Sequence, residues 1–362
     1  MDQKNNITQP KKRIKKPSER AVKIIDDIKK KARDSYEKAT KKYLPKTTPI
    51  DNKLIKIKPK PNENKIFSEG EEELKLYQKI SSILKPILLK NKDFRIGIAL
   101  SAGGAKGIAH LGVLRVLEKS SIPISVISGA SMGSVVGALY ALNPDSSKLA
   151  GIVESLNKEV IKSLTKIRFT NESIFESNNM RRLLEEMYSG QSFKDTKIPF
   201  YSVAYNLDDF KETTFSSGKI SLAVQASSSI PGAFSPVLID GKHYIDGGIS
   251  NPLPLSVIKN KCDFLIAVKI PYNFEHDLKL KPRIIDILAR SISTMENELS
   301  NTSIKLYTPD FTIDLKELND YSTFEFDKAQ KIVAVGAISS RKIIKELILA
   351  IKTKIKNHNN KL

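Results

Sequence analysis

Ile124-Ser125-Val126-Ile127-Ser128-Gly129-Ala130-Ser131-Met132-Gly133-Ser134-Val135-Val136-Gly137-Ala138-Leu139 decides how this chain folds. Its first five residues are β-branched and bounded by turn residues, which predicts a short buried strand. The residues after Gly133 are small and apolar and continue as a buried helix. A G-x-S-x-G pentapeptide in a strand–turn–helix context is a nucleophile elbow. A strand that reverses into a helix within two residues forces strained dihedrals on Ser131. It also brings the two backbones together where Gly129 and Gly133 carry no Cβ. The hydroxyl is then presented at the positive end of the helix. Read alone, the pentapeptide fits a buried glycine-rich turn equally well.

A second element lies one strand earlier. Arg95 to Leu100 has the apolar run of a strand, and Ser101-Ala102-Gly103-Gly104-Ala105-Lys106-Gly107 follows. Ile108, Leu111, Leu114, Val116 and Leu117 then recur mostly at three- and four-residue steps, the period of a helix. A glycine-rich turn that opens a helix directs several backbone N–H groups at one point, which suits a nucleotide phosphate or a tetrahedral oxyanion. The nucleotide fingerprint fits poorly. Ala102 stands at the first glycine place, and the only acidic residue about 20 positions on is Glu118, inside the helix. A phosphate-binding P-loop is excluded because no Lys-Ser or Lys-Thr follows the glycines.

The third element is Tyr244-Ile245-Asp246-Gly247-Gly248. In isolation this is an ordinary tight turn at a strand end. With a serine nucleophile elsewhere in the chain, its other reading is a carboxylate held by glycine amides and facing Ser131 as a base.

In this order, the three elements resemble the patatin-like phospholipase family, especially its bacterial members. The resemblance runs from about Arg95 to the C-terminal helix. It takes in Gly97 to Gly107, His110-Leu111-Gly112-Val113-Leu114, the elbow, Ala226 to Phe234 and the Asp246-Gly247-Gly248 turn. It implies a three-layer α/β fold related to the α/β-hydrolases and a Ser–Asp dyad, with Ser131 as nucleophile and Asp246 as general base. Gly103, Gly104 and Ala105 would supply oxyanion-hole amides. Lys106 occupies the family's basic position, and Gly107, Gly129, Gly133, Gly247 and Gly248 would support the loops. The chain departs from the family pattern at Ala102, which replaces the first loop glycine, and at Gly248, where some members carry alanine. The second change is expected to be neutral. The implied activity is hydrolysis of phospholipid or lysophospholipid esters through an acyl-serine, with no metal or cofactor.

Four histidines offer alternatives to the dyad. His110 lies on the helix after the glycine loop. His243, on a short strand beside Asp246, is the main rival base. His276 lies in a polar loop after the aspartate, where an α/β-hydrolase histidine would fall, and His358 is near the charged C-terminus. Ser227 to Ser229 offer further hydroxyls but lack an elbow, and are read as structural. No His/Cys cluster has metal-ligand spacing, and Cys262 is the single cysteine, which excludes an intramolecular disulfide.

Strands alternate with helices from Arg95 onward. Segments 199–204, 212–215 and 264–268 read as strands, and 179–188, 283–299 and 327–355 as helices. The fold class is therefore α/β, with a mostly parallel central sheet flanked by helices and a basic N-terminal helical extension. Domain organisation follows composition: residues 1–65 form a basic arm and linker, 66–92 a helix packing on the catalytic domain, and 93–362 the catalytic domain. Glu71 to Lys90 carries an apolar face and Pro86, which should kink it; a lid role for this helix is a secondary reading. An apolar content of 40% over 362 residues is enough for a sizeable core.

Charge is concentrated at one end. Residues 1–65 hold 21 Lys and Arg against 8 Asp and Glu, more than half of the whole chain's +20. Within the arm, Ala21, Ile25, Ile28, Ala32, Tyr36, Ala39 and Tyr43 fall on one stripe of a helix capped by Ser18, and prolines punctuate the linker from Leu44 to Asn64. Three readings of this arm compete: a solvated helix, an amphipathic helix lying on an anionic membrane, and a nucleic-acid contact. The last is disfavoured because no aromatic platform accompanies the lysines. No secretory signal and no run of 18 apolar residues is visible, so the expected location is cytoplasmic, with a peripheral association at the inner membrane face. A catalytically silent membrane adaptor on the same fold, or a nucleotide-binding protein, are the competing functions.

Overall fold

The computed structural model describes residues 69–155, 177–272 and 284–360. The basic arm, its helix and linker, the 65/66 boundary and His276 lie outside the described residues. The chain between begins with α1 (Glu71–Lys90), which contains Pro86, and enters the sheet through β1 (Ile96–Leu100). A 3₁₀ turn, Gly104–Ala109, runs directly into α2 (His110–Lys119), so the helix expected after the glycine loop begins inside the loop itself. Next come β2 (Val126–Ala130), α3 (Met132–Leu142), α4 (Ser146–Ser155) and α5 (Ser177–Tyr188). They are followed by β3 (Phe200–Asn206), β4 (Lys211–Phe215) and α6 (Ile220–Ser227). A short hairpin, β5 (Val237–Ile239) and β6 (Lys242–Asp246), precedes α7 (Leu255–Ile258) and β7 (Phe264–Lys269). The C-terminal part is α8 (Ile284–Tyr307), β8 (Phe311–Asp314) and α9 (Ala329–Asn359).

One eight-stranded sheet results, in the order β5-β6-β3-β2-β1-β7-β8, with β4 on the other edge of β3. The pairings of β3–β2–β1–β7–β8 are all parallel, and β4, β5 and β6 add the antiparallel part. β1 and β2 are buried throughout, the pattern of parallel strands covered on both faces. Alternation divides their side chains. Ile96, Ile98 and Leu100 join the large core under α2, α3 and α9, while Ala99 and Val126 face Leu253, Leu255 and Ile258, with Ile304 of α8 against them.

The register of β3 explains the position of the site. Ser202 and Val203 pair with β4 on one edge and with Gly129 and Ala130 of β2 on the other. Ala204 to Asn206 also pair with β4, and on their second edge with Asp246, Ile245 and Tyr244 of β6. So β2 and the oppositely running β6 share one edge of β3, and their carboxyl ends meet head to head. Ala130 and Asp246 are partnered to consecutive residues of β3, although 115 residues separate Ser131 from Asp246 in the chain.

Expected helix α1 is present and packs on α9, where Arg341 pairs with Glu73 at 2.8 Å. No residue of α1 borders the cavity at Ser131; the segment over that cavity comes from Thr323 to Phe326. The lid reading for α1 is therefore set aside. β5 and β8 were not expected from sequence.

Candidate active site

Ser131 is the residue between β2 and α3, with φ 51° and ψ −123°. Positive φ on a non-glycine residue costs of order 1–3 kcal/mol and persists only where the surroundings hold it. Here the surroundings are specific. A Cβ on Gly129 would lie 2.4 Å from the Gly133 carbonyl oxygen, and one on Gly133 would lie 2.2 Å from that of Leu100. The elbow glycines are thus required by backbone contact within the turn and between α3 and the end of β1. The Ser131 amide donates to Ser227 Oγ at 3.0 Å.

Ser131 Oγ donates to Asp246 Oδ2 at 2.6 Å, and Gly248 N donates to Asp246 Oδ1 at 2.7 Å. The Asp246 amide is bonded in turn to Ser229 O at 3.0 Å. Both side chains are buried. Burial pushes the Asp246 carboxyl up to about 7, against the two hydrogen bonds, which favour its charged form. A carboxyl poised there can take up and return a proton near neutrality, as a general base requires.

The glycine loop sits beside this pair. The amides of Gly103 and Gly104 donate to no acceptor among the described residues. The third expected donor is occupied: Ala105 N donates to Thr323 O at 2.8 Å. Gly104 has φ 54°, and a Cβ there would lie 2.5 Å from the same carbonyl. The loop is therefore closed on one side by the Thr323 backbone. Lys106 is buried, not solvated as a loop lysine would be, and its ammonium donates to Pro271 O at 2.6 Å. Burial lowers its pKa to about 8. Gly107 packs on Met132 and Gly247 on the Val203 carbonyl, so both keep neighbouring loops close.

Alanine at Gly248 requires a neighbouring side chain to shift. A Cβ at that position would lie 2.0 Å from Glu296 Oε1, a buried carboxylate of α8. The sequence reading missed Glu296 and Tyr272, which share the interior behind Asp246; Ser227, read as structural, ties down the elbow through its hydroxyl.

The described histidines are elsewhere. His243 pairs with Asp208 at 3.2 Å, and its side chain points away from that of Asp246 because residues three apart on a strand face opposite sides. His110 is fully buried, its Nε2 donating to Ser101 O at 2.8 Å, and burial lowers its pKa to about 4. His358 packs edge-on against Phe94.

Ser131 opens into an apolar cavity of about 130 Å³ walled by α3, α5 and the 324–326 segment, including Val135, Leu139, Leu183, Leu184, Met187 and Phe326. Ser228, Ile230 and Phe234 close one side, as expected of the 226–234 segment. The arrangement combines a hydroxyl, a carboxyl, two unengaged amides and an apolar cavity.

Residues 98–258 match the family model of patatin-like phospholipases. Among individual proteins, it is similar to an uncharacterised NTE family protein of Mycobacterium tuberculosis, 32% identical over 177 residues, which cover 49% of each chain. It is also similar to Lysophospholipase NTE1 of Kluyveromyces lactis, 24% identical across 89% of this chain and 23% of that one. The chain thus spans about half or less of the length of these relatives. A human GIVD cytosolic phospholipase A2 bound to a fluorophosphonate inhibitor superposes on 80% of this chain and 65% of its own, with a TM-score of 0.40 and 13% identity.

Proposed function

We propose that the chain is a serine lipid acyl hydrolase that cleaves carboxylic esters of phospholipids or lysophospholipids. The observation that carries this is the 2.6 Å bond from the strained Ser131 hydroxyl to buried Asp246 at the end of an apolar cavity. Asp246 takes the serine proton as Oγ attacks the ester carbonyl. The tetrahedral oxyanion is stabilised by the amides of Gly103 and Gly104, each such donor contributing about 2.7–4 kcal/mol. Collapse transfers the proton from Asp246 to the leaving alcohol and leaves an acyl-serine. Water then attacks the acyl carbonyl as Asp246 takes its proton; the acyl–Oγ bond breaks, Asp246 returns the proton to Ser131 Oγ, and the acid departs. The cavity takes the acyl chain, which accounts for its lack of polar wall groups other than serines and the loop.

The family match and the lysophospholipase name of one relative support a lipid substrate. The basic arm is assigned to docking on an anionic membrane, at the cytoplasmic face, on the strength of its charge. No helix among the described residues is long and apolar enough to cross a membrane.

The test is a fluorophosphonate probe on the full chain and on Ser131→Ala, followed by release of fatty acids from a panel of phospholipids and lysophospholipids. Labelling and release that both vanish in Ser131→Ala support the proposal. A folded protein that takes no label would favour a silent adaptor on the same fold. Deleting residues 1–65 should weaken binding to anionic vesicles in a salt-dependent way; unchanged binding would remove the arm from the proposal.

A further inference from the structure

Behind the dyad lies a second buried carboxyl that the mechanism above does not use. Glu296 Oε1 and Asp246 Oδ1 both border the space where a Gly248 side chain would be, at 2.0 and 3.1 Å from that missing Cβ. Two further titratable groups face them. The Lys106 ammonium, from the glycine loop, lies on the Glu296 side and is held by Pro271 O. The Tyr272 hydroxyl, from the segment after β7, is buried against both carboxyls without reaching hydrogen-bond geometry. Around Asp246 itself are the Ser131 hydroxyl and the Gly248 amide. Four elements thus bring two carboxyls, one amine and one phenol into one dry compartment.

Two carboxylates this close in a dry compartment do not both ionise. With Lys106 the single cation of this cluster among the described residues, the compartment is neutral when the pair keeps one proton. The hydrogen bonds decide which residue keeps it. Asp246 accepts two short ones, from Ser131 and Gly248, and both favour its charged form. Among the described residues Glu296 has no comparably short donor; only the nearby phenol and the attraction of Lys106 favour its charged form, against its burial and the Asp246 charge. We propose that Glu296 is a positioning residue that holds the one proton shared with Asp246, so that Asp246 is the ionised partner facing Ser131. Gly248 is the residue that makes room for it. Burial and the neighbouring Asp246 charge both push the glutamate well above the usual carboxylate range, in the same direction as the geometry.

This inference rests on Ser131–Asp246 being the working dyad, so its main readout is independent of activity. Infrared titration of the full chain should show two buried protonated carboxyls in acid. One should be lost with a midpoint of about 7, and the other should persist above it. Glu296→Gln should remove the persistent band and leave the titrating one. Removal of the titrating band by Glu296→Gln, or absence of any persistent band, would overturn the proposal.

Kinetics supply the second readout. Glu296→Ala should lower kcat/KM roughly tenfold, by exposing Asp246 to an unfilled polar gap. Glu296→Gln, neutral and of the same shape, should recover most of that loss without moving the acid limb of the pH profile. An acid limb displaced to lower pH in Glu296→Gln would mean that the glutamate was ionised, and would refute the assignment. If the probe fails to label Ser131 while the bands behave as described, it is the hydrolase reading that fails and not the proton assignment.

Discussion

Replacing Asp246 by Asn should stabilise the protein while abolishing hydrolysis. Burial moves the carboxyl from its ordinary 3.8 to about 7 in the folded chain. Folding therefore holds a proton that the unfolded chain has released between those values, and stability falls as pH rises through that window. Roughly three pH units at about 1.36 kcal/mol each amount to about 4 kcal/mol at the upper end. Below the unfolded value the penalty is absent. Asn cannot ionise, yet it matches the shape: its carbonyl can still accept from Gly248 N, and its amide can donate to Ser131 Oγ. The stability gap between Asp246→Asn and the parent chain should open from near zero at the acid end to about 4 kcal/mol just above the folded value. Urea denaturation of both chains at several pH values measures it. A gap that is constant across the window, or that closes as pH rises, would refute the reasoning. A constant gap would mean that the buried carboxyl ionises as it does in water, and a closing one that folding favours its charged form.

Other consequences follow from the same geometry. With a soluble ester, kcat/KM should fall about tenfold for each pH unit below about 7, because only ionised Asp246 is a base; a flat acid profile would remove it from that role. Ser227→Ala leaves the strained Ser131 amide without its acceptor and should cost about 1–3 kcal/mol, appearing as a lower kcat with little change in KM. An unaltered kcat would show that the elbow holds without that tie. Leu184→Trp should fill the apolar cavity and favour short over long acyl esters by about tenfold or more, measured as a ratio of kcat/KM values. An unchanged ratio would place the acyl chain elsewhere.

Much of the fold was legible because its strands and helices carry their periods locally. β1, β3, β4 and β7 lie where apolar runs predicted them, and α5, α8 and α9 overlap the expected helices with shifted ends. α8 runs to Tyr307 and not 299, since the buried stripe of its latter part is Ser300 and Ser303, not apolar residues. For the same reason Glu296 was invisible. It sits on that stripe with Ser293, and a glutamate among serines looks like a solvated helix face until the helix is laid against Gly248. Gly248 was judged by its turn alone, so its near contact with another element could not enter. Ala105 was expected among the oxyanion donors from the family resemblance; whether a distant carbonyl, that of Thr323, would claim one of the loop amides is not a local property.

The sequence by itself determined the elbow, the glycine loop and the Asp-Gly-Gly turn, because each depends on dihedrals and close approaches within a few residues. Only the tertiary structure decided that the turn meets the elbow. That follows from β2 and β6 lying end to end along one edge of β3, a pairing between strands more than a hundred residues apart. It also decided the electrostatics of the site. The desolvation that lifts Asp246 and Glu296 and lowers Lys106 arises when separate elements exclude water together, and no single segment carries that information.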